Sequence, residues 1–289
     1  MPLSLSPLTL RRIRDGSMRK HLLVLPLLGL LPGPALPAPD EAAGRAGSRE
    51  AAGSSQEAAG SPGLPWKPGV EYRYLWIRDG QKAGETRFGL EEHVKDDPYY
   101  VLTATRTYDW DGSSQRARST TTVRRNGQPI AFDEALEMSG LKNLKAHQVT
   151  EVRFQEGKAR VKYVLNGKED ATRRHEFEVP AEAFLYGNQA VEHWALFAAK
   201  LPRTEGRHVL KLFYPDHARV LAVSFERSGE EKLKLGTDDA SAVRFRFECP
   251  EVKLKGSIWL DPEGRLLQVE FAGADDKSPV LRVVLEKKP

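Results

Sequence analysis

The stretch Val243-Arg244-Phe245-Arg246-Phe247-Glu248-Cys249 alternates without a break: every odd position is apolar and every even one charged. Period two puts successive side chains on opposite faces of a strand. One face therefore packs and the other meets water, as in antiparallel sheets. Beyond Pro250, Val252, Leu254, Gly256, Ile258 and Leu260 share one face opposite Lys253, Lys255 and Ser257, although Trp259 breaks the polarity of that second face. Val161, Tyr163 and Leu165 repeat the motif, as do His175, Phe177 and Val179.

Turn signals separate these runs at strand-sized intervals: Asp79-Gly80, Asp111-Gly112, Asn126-Gly127, Glu156-Gly157, Asn166-Gly167 and Asp261-Pro262-Glu263-Gly264. Asn-Gly and Asp-Gly suit two-residue hairpins because both central residues adopt positive φ. The fold class expected is mainly β: a large curved antiparallel sheet or unclosed barrel. One helix is expected over about 189–201, capped by Asn188 and stopped by Pro202. Ala190, Val191, Trp194, Phe197, Ala198 and Leu201 form its apolar stripe, to lie across the sheet, while Glu192, His193 and Lys200 point away. A weaker helical stretch covers Ser139 to Leu144.

The front of the chain reads as an address. Met18-Arg19-Lys20-His21 precedes the leucine-rich run Leu22 to Leu31, and Gly33-Pro34-Ala35 offers a small-residue exit. That is the pattern of an export signal too short to span a bilayer permanently, with periplasmic or secreted localisation as its consequence. Met1 or Met18 can serve as the start, and Arg11-Arg12 leaves the twin-arginine route open beside the general one. No cysteine stands near the exit to be acylated. Residues 1–38 are thus read as leader, 39–64 as a disordered Ala/Gly/Ser/Glu tether and 65–289 as a single antiparallel β domain.

Cleavage after Ala35 removes five basic residues and Asp15, so that 44 and 40 charges become 39 of each sign. A neutral mature chain argues against a nucleic-acid partner. The lone Cys249 allows no internal disulfide, so the exported fold stands on its core. The mature chain is not expected to span a membrane.

Gly69-Val70-Glu71-Tyr72-Arg73-Tyr74 with Asp79-Gly80-Gln81-Lys82-Ala83-Gly84-Glu85 resembles the opening hairpin of an exported bacterial domain-of-unknown-function family. The closing segment from Leu254 to Phe271, with Trp259-Leu260-Asp261-Pro262-Glu263-Gly264 at its turn, resembles that family's last hairpin. The family is similar in architecture to the lipoprotein-localisation carriers LolA and LolB, curved sheets or unclosed barrels with helices plugging the concave side. The resemblance implies this fold, the envelope compartment and an acyl-chain or lipoprotein ligand. It transfers no catalytic residues.

Chemistry-bearing motifs are sparse. No histidine pair has metal spacing, and neither a serine nucleophile elbow, a phosphate loop nor a dinucleotide fingerprint is present. Tyr214-Pro215-Asp216-His217 reads as a turn between strands, His193 as a solvated helix residue and His175 as a core histidine. Cys249 reads as a small buried hydrophobe. Asp109-Trp110-Asp111-Gly112-Ser113-Ser114 starts like a calcium loop but lacks the later ligands, so it reads as a hairpin. The acidic pairs Asp96-Asp97, Asp238-Asp239 and Asp275-Asp276 read as solvated turns. No metal, cofactor or catalytic group is expected.

The aromatic residues carry the functional expectation: Tyr72, Tyr74 and Trp76 on one face of the first strand, with Trp194 and Phe197 on the helix, are the expected ligand contacts. The expectation is a non-enzymatic envelope module that takes an apolar ligand into a concave groove, with affinity growing by about 25 cal/mol per Å² of buried apolar surface. The alternatives are an envelope assembly partner engaged by strand addition and a hydrolase of an envelope polymer.

Overall fold

In the computed structural model the described residues are 64–94, 98–110, 112–140, 145–170, 175–187, 189–272 and 280–286. They belong to one compact unit, Asp40–Pro289. The leader and nearly all of the expected tether lie outside the described residues, as do Asp96-Asp97, Asp275-Asp276 and most of the expected helix at 139–144. Ser139 itself ends a strand.

Sixteen strands form one sheet. They are β1 (Glu71–Arg78), β2 (Gln81–His93), β3 (Tyr99–Trp110), β4 (Ser113–Arg124), β5 (Pro129–Ser139), β6 (Lys145–Gln155), β7 (Lys158–Leu165), β8 (Lys168–Glu169) and β9 (His175–Glu178). After β10 (Phe184–Leu185) and the helix α1 (Val191–Ala198) come β11 (Arg207–Tyr214), β12 (Arg219–Leu235), β13 (Asp238–Cys249), β14 (Leu254–Leu260), β15 (Leu266–Phe271) and β16 (Leu281–Leu285). The spatial order runs β10 to β16, then β1 to β8, with β9 beside β7. Among the described residues no pairing joins β10 to β8 or β9, so the barrel is unclosed. Among them all ladders are antiparallel except β10 with β11. The first and last strands meet in mid-sheet, Tyr74 opposite Leu285 and Trp76 opposite Val283.

Three hairpin signals hold in the backbone: Asp79 and Gly80 have φ of 51° and 75°, Glu156 and Gly157 of 52° and 75°, and Asn166 and Gly167 of 50° and 77°, whereas at Asn126-Gly127 only the glycine is positive, at 87°. Positive φ at both positions lets the turn twist with its strands. Gly84 has a different duty. A Cβ there would sit 2.1 Å from the Thr107 carbonyl oxygen, so the close approach of β2 to β3 requires glycine.

The alternating stretch forms β13, and Phe245, Phe247 and Cys249 face the interior. Trp259 breaks the polar face of β14 because the outer surface carries its own small apolar cluster of Leu235, Ala242, Trp259 and Leu267. Arg244 stacks over the Trp259 ring at 5.0 Å. The main cluster fills the concave side and includes α1. A second one gathers Phe132, Val152, Val161, Leu185 and Phe213.

The helix departs from the expectation in three respects. It is eight residues, not twelve or thirteen: Gln189 at φ 62° and the extended Ala190 delay its start, and Ala199 already caps its end. Its N-cap is Ala190 with no side-chain cap, and Asn188 lies outside the described residues. It is buried all round, Glu192 and His193 included. The expected solvent face does not exist, since sheet wall surrounds the helix where water was expected.

Candidate binding interior

The strand registers lay a polar seam across the inner wall. Ala104 of β3 faces Ser119 of β4, Ser119 faces Glu134 of β5, Glu134 faces Thr150 of β6, and Thr150 faces Tyr163 of β7. The neighbouring row is apolar except for Thr121: Leu102, Thr121, Phe132, Val152 and Val161. Period two fixes this division, because residues two apart on each strand share the inner face.

Helix α1 closes onto that seam. Ser119 Oγ donates to Glu192 Oε1 at 2.7 Å. Thr121 Oγ1 and His193 Nε2 lie 2.9 Å apart, and the Gly187 N–H donates to His193 Nδ1 at 2.8 Å. A Cβ on Gly187 would lie 3.0 Å from that nitrogen, so glycine gives the loop its approach to the ring. Glu192 Oε2 is buried with no hydrogen-bond partner. Such an atom costs about 1–3 kcal/mol, more for a charged group.

Around this latch stands an unusual charge set. Arg106 of β3 forms a buried ion pair with Glu134. Burial pulls the Arg106 guanidinium down, but Glu134 and Glu192 outweigh it and hold it above its ordinary value. Burial pushes the Glu134 carboxyl up to about 7; Arg106 opposes the shift, while Asp216 and Glu192 add to it. A dry interior with three carboxylates near one guanidinium favours retention of a proton. Burial likewise lowers His193 to about 4, so its ring is neutral at neutral pH. Asp216 sits in the 3-10 turn Pro215–His217, where the sequence places a turn, and Tyr163 Oη donates to the Pro215 carbonyl.

These hydroxyls and the imidazole form no nucleophile–base pair. Because Nδ1 accepts from Gly187, the neutral ring carries its proton on Nε2 and donates to Thr121. A base toward Thr121 needs the opposite tautomer. Ser119 in turn bonds a carboxylate and not the ring. Among the described residues no three His, Cys, Asp or Glu side chains are grouped to hold a metal ion. No helix among them is long and apolar enough to cross a membrane.

The other half of the interior is aromatic. Trp194 meets Phe197 and Phe247 at 4.9 Å and Phe271 at 5.2 Å, and Phe197 meets Phe225 at 5.9 Å. Of the five expected ligand contacts, Trp194 and Phe197 therefore line this bowl from the helix. Tyr74 and Trp76 lie in the same cluster, fully buried, with Tyr72 at its partly buried margin. Tyr74 Oη donates to the Leu266 carbonyl at 2.6 Å and the Trp76 indole N–H to Thr86 Oγ1 at 2.8 Å, so both polar ends are engaged. Tyr74 stacks on Phe88 at 5.8 Å.

Sequence reading missed Arg106, Ser119, Thr121, Glu134 and Glu192, and His193 is buried, not solvated. A signal existed: the inward positions of β4 run Ala117, Ser119, Thr121, Val123. Small hydroxyl residues on an inner face announce a polar partner. Cys249 is fully buried as expected, and burial raises its thiol. The Asp109–Ser114 stretch joins β3 to β4 as a hairpin, with Asp111 outside the described residues. Asp238 and Asp239 open β13, exposed. His175 pairs with Val161 in β9, its side chain outside the described residues.

No protein-family model matches the chain. No curated protein matches it. Among solved structures it is similar to a β-barrel-like protein of domain of unknown function DUF1849 from Brucella abortus, at 15% identity and a TM-score of 0.48, covering 75% of this chain and 95% of that one. It is also similar to a protein from Bacteroides fragilis described as exported and as having a YmcC-like fold, with 10% identity, a TM-score of 0.30 and 78% and 99% coverage. A DUF1089 family protein from Pseudomonas aeruginosa matches at 9% identity and a TM-score of 0.34, covering 77% and 100%.

Proposed function

We propose that the chain is an exported, non-enzymatic binding module of the cell envelope whose concave face takes an apolar ligand in place of helix α1. One observation carries the reading. The helix occupies the interior as a guest: eight residues, no side-chain cap and Glu192 Oε2 unsatisfied, set among aromatic rings of the wall. Eight residues are too few for a self-supporting helix in water, so its seat depends on tertiary contacts. An acyl chain offers the same bowl comparable apolar area without the unpaired carboxylate oxygen. Support for the compartment comes from the basic, leucine-rich leader, and from the hairpin-level resemblance to an exported family whose architecture is similar to that of the LolA and LolB carriers.

The competing readings draw less support. Toward strand addition, β11 reaches past two-residue β10 and exposes Val209, yet the stepped edge carries Arg207, Lys211, Glu230 and Lys232, the charges with which natural edges resist pairing. A hydrolase would need a base, and His193 points its proton the wrong way.

Native mass spectrometry of the protein purified from its own envelope tests the proposal. Co-purified lipid at one per chain is expected. A clean protein that also fails to take up fatty-acyl chains overturns it.

A further inference from the structure

The helix does more than fill space, for its side chains divide into two chemistries that match the two halves of the wall. Glu192 presents a carboxylate to the polar seam, where the Ser119 hydroxyl binds one oxygen. Two and five residues on, Trp194 and Phe197 enter the aromatic bowl. A carboxylate joined to an apolar body is the description of an anionic single-chain amphiphile.

We infer that α1 is a built-in stand-in for a ligand of that class, and that the interior selects fatty-acyl chains bearing a carboxylate head. The inference rests on the proposed reading that a ligand replaces the helix, and adds the identity of the head group. Hydrogen bonding carries it: Glu192 sets one carboxylate oxygen on the Ser119 hydroxyl at 2.7 Å, beside the Arg106–Glu134 pair. When the helix leaves, the Ser119 and Thr121 hydroxyls lose their partners. An incoming carboxylate accepts a charge-assisted hydrogen bond from each. An ammonium head has no acceptor to offer them, and an alcohol offers only a neutral, weaker one. The unpartnered Glu192 Oε2 sharpens the case, since the stand-in satisfies only one of its two oxygens and a mobile head group is free to satisfy both.

The groove lined by Arg203, Arg227 and Lys232 also holds Glu230 and Glu231, and Arg227 is already paired to Glu205 and Glu230, so its basic groups do not converge on one anion. The groove at Arg116, Glu137, Lys145 and His147 mixes charges in the same way.

The test compares dodecanoate, dodecanol and dodecylamine, each below its micelle concentration, by calorimetric titration of the full chain. Dodecanoate is expected to bind at least about tenfold tighter than the other two. The Ser119→Ala variant should narrow that ratio, and Glu192→Gln should tighten dodecanoate binding by weakening the internal competitor. Equal binding of all three chains would overturn the head-group inference and leave the apolar-ligand reading standing. Binding by none of them would overturn both.

Discussion

Ser119 and Glu192 lie 73 positions apart in the chain, yet their side-chain oxygens meet at 2.7 Å inside the sheet. That bond ties a strand of the wall to the helix enclosed by it. Removing the hydroxyl leaves the buried carboxylate without a partner on either oxygen. Ser119→Ala is therefore expected to cost about 2–3 kcal/mol in urea unfolding. A double-mutant cycle with Glu192→Ala should return a coupling of about 1–3 kcal/mol. Additive losses would show that the contact holds nothing.

Two buried groups set opposite pH slopes. Glu134 is raised from 4.5 to about 7, so its contribution is full below 4.5 and is lost as pH rises through 7. His193 is lowered from 6.5 to about 4, so its contribution is full above 6.5 and is lost as pH falls through 4. Between 4.5 and 6.5 the folded protein keeps a proton on Glu134 and lacks one on His193, and the two slopes cancel. Glu134→Gln should uncover the histidine slope, with stability rising by about 1.4 kcal/mol per pH unit across that window relative to the parent. Chemical denaturation at a series of pH values reads it; a difference curve without slope would contradict the assignment.

Trp194 touches four other rings, those of Tyr186, Phe197, Phe247 and Phe271, and its indole N–H is buried without an acceptor. Trp194→Ala should cost about 3–5 kcal/mol. Trp194→Phe, which removes the unpaired donor and keeps an aromatic ring, should cost less than about 1.5 kcal/mol. Thermal unfolding of the two variants distinguishes this from a role for the indole nitrogen.

Gly187 donates its N–H to the imidazole, and a Cβ there would press within 3.0 Å of the ring nitrogen and of Ala190 Cβ. Gly187→Ala is expected to displace the His193 ring and cost about 1–3 kcal/mol. In the NMR spectrum the His193 Nε2 proton, shielded between Thr121 and the wall, should exchange measurably faster than in the parent. An unchanged exchange rate would show that the ring is held from elsewhere.

The sheet was legible because alternation and turn chemistry are local: Val243 to Cys249 announces β13 by itself, and Asn166-Gly167 announces its hairpin. The helix was legible only as an apolar stripe. A stripe implies a wet opposite face when the helix lies across one surface, and that inference fails when an open barrel wraps it. Glu192 and His193 then meet partners on β4, 73 and 72 positions earlier, a pairing fixed by tertiary closure and not by neighbouring residues. Hydroxyl-rich β4 carried the matching half of the signal, readable only once the wall and the helix stand together.

Ligand entry into this interior requires that α1 vacate its seat. Hydrogen exchange of the full chain, followed at the amides of Val191–Ala198 with and without saturating dodecanoate, measures this directly. Helix amides are expected to lose protection when the ligand binds, while those of β4 and β13 keep theirs. Helix protection that stays the same or increases with ligand bound would contradict it.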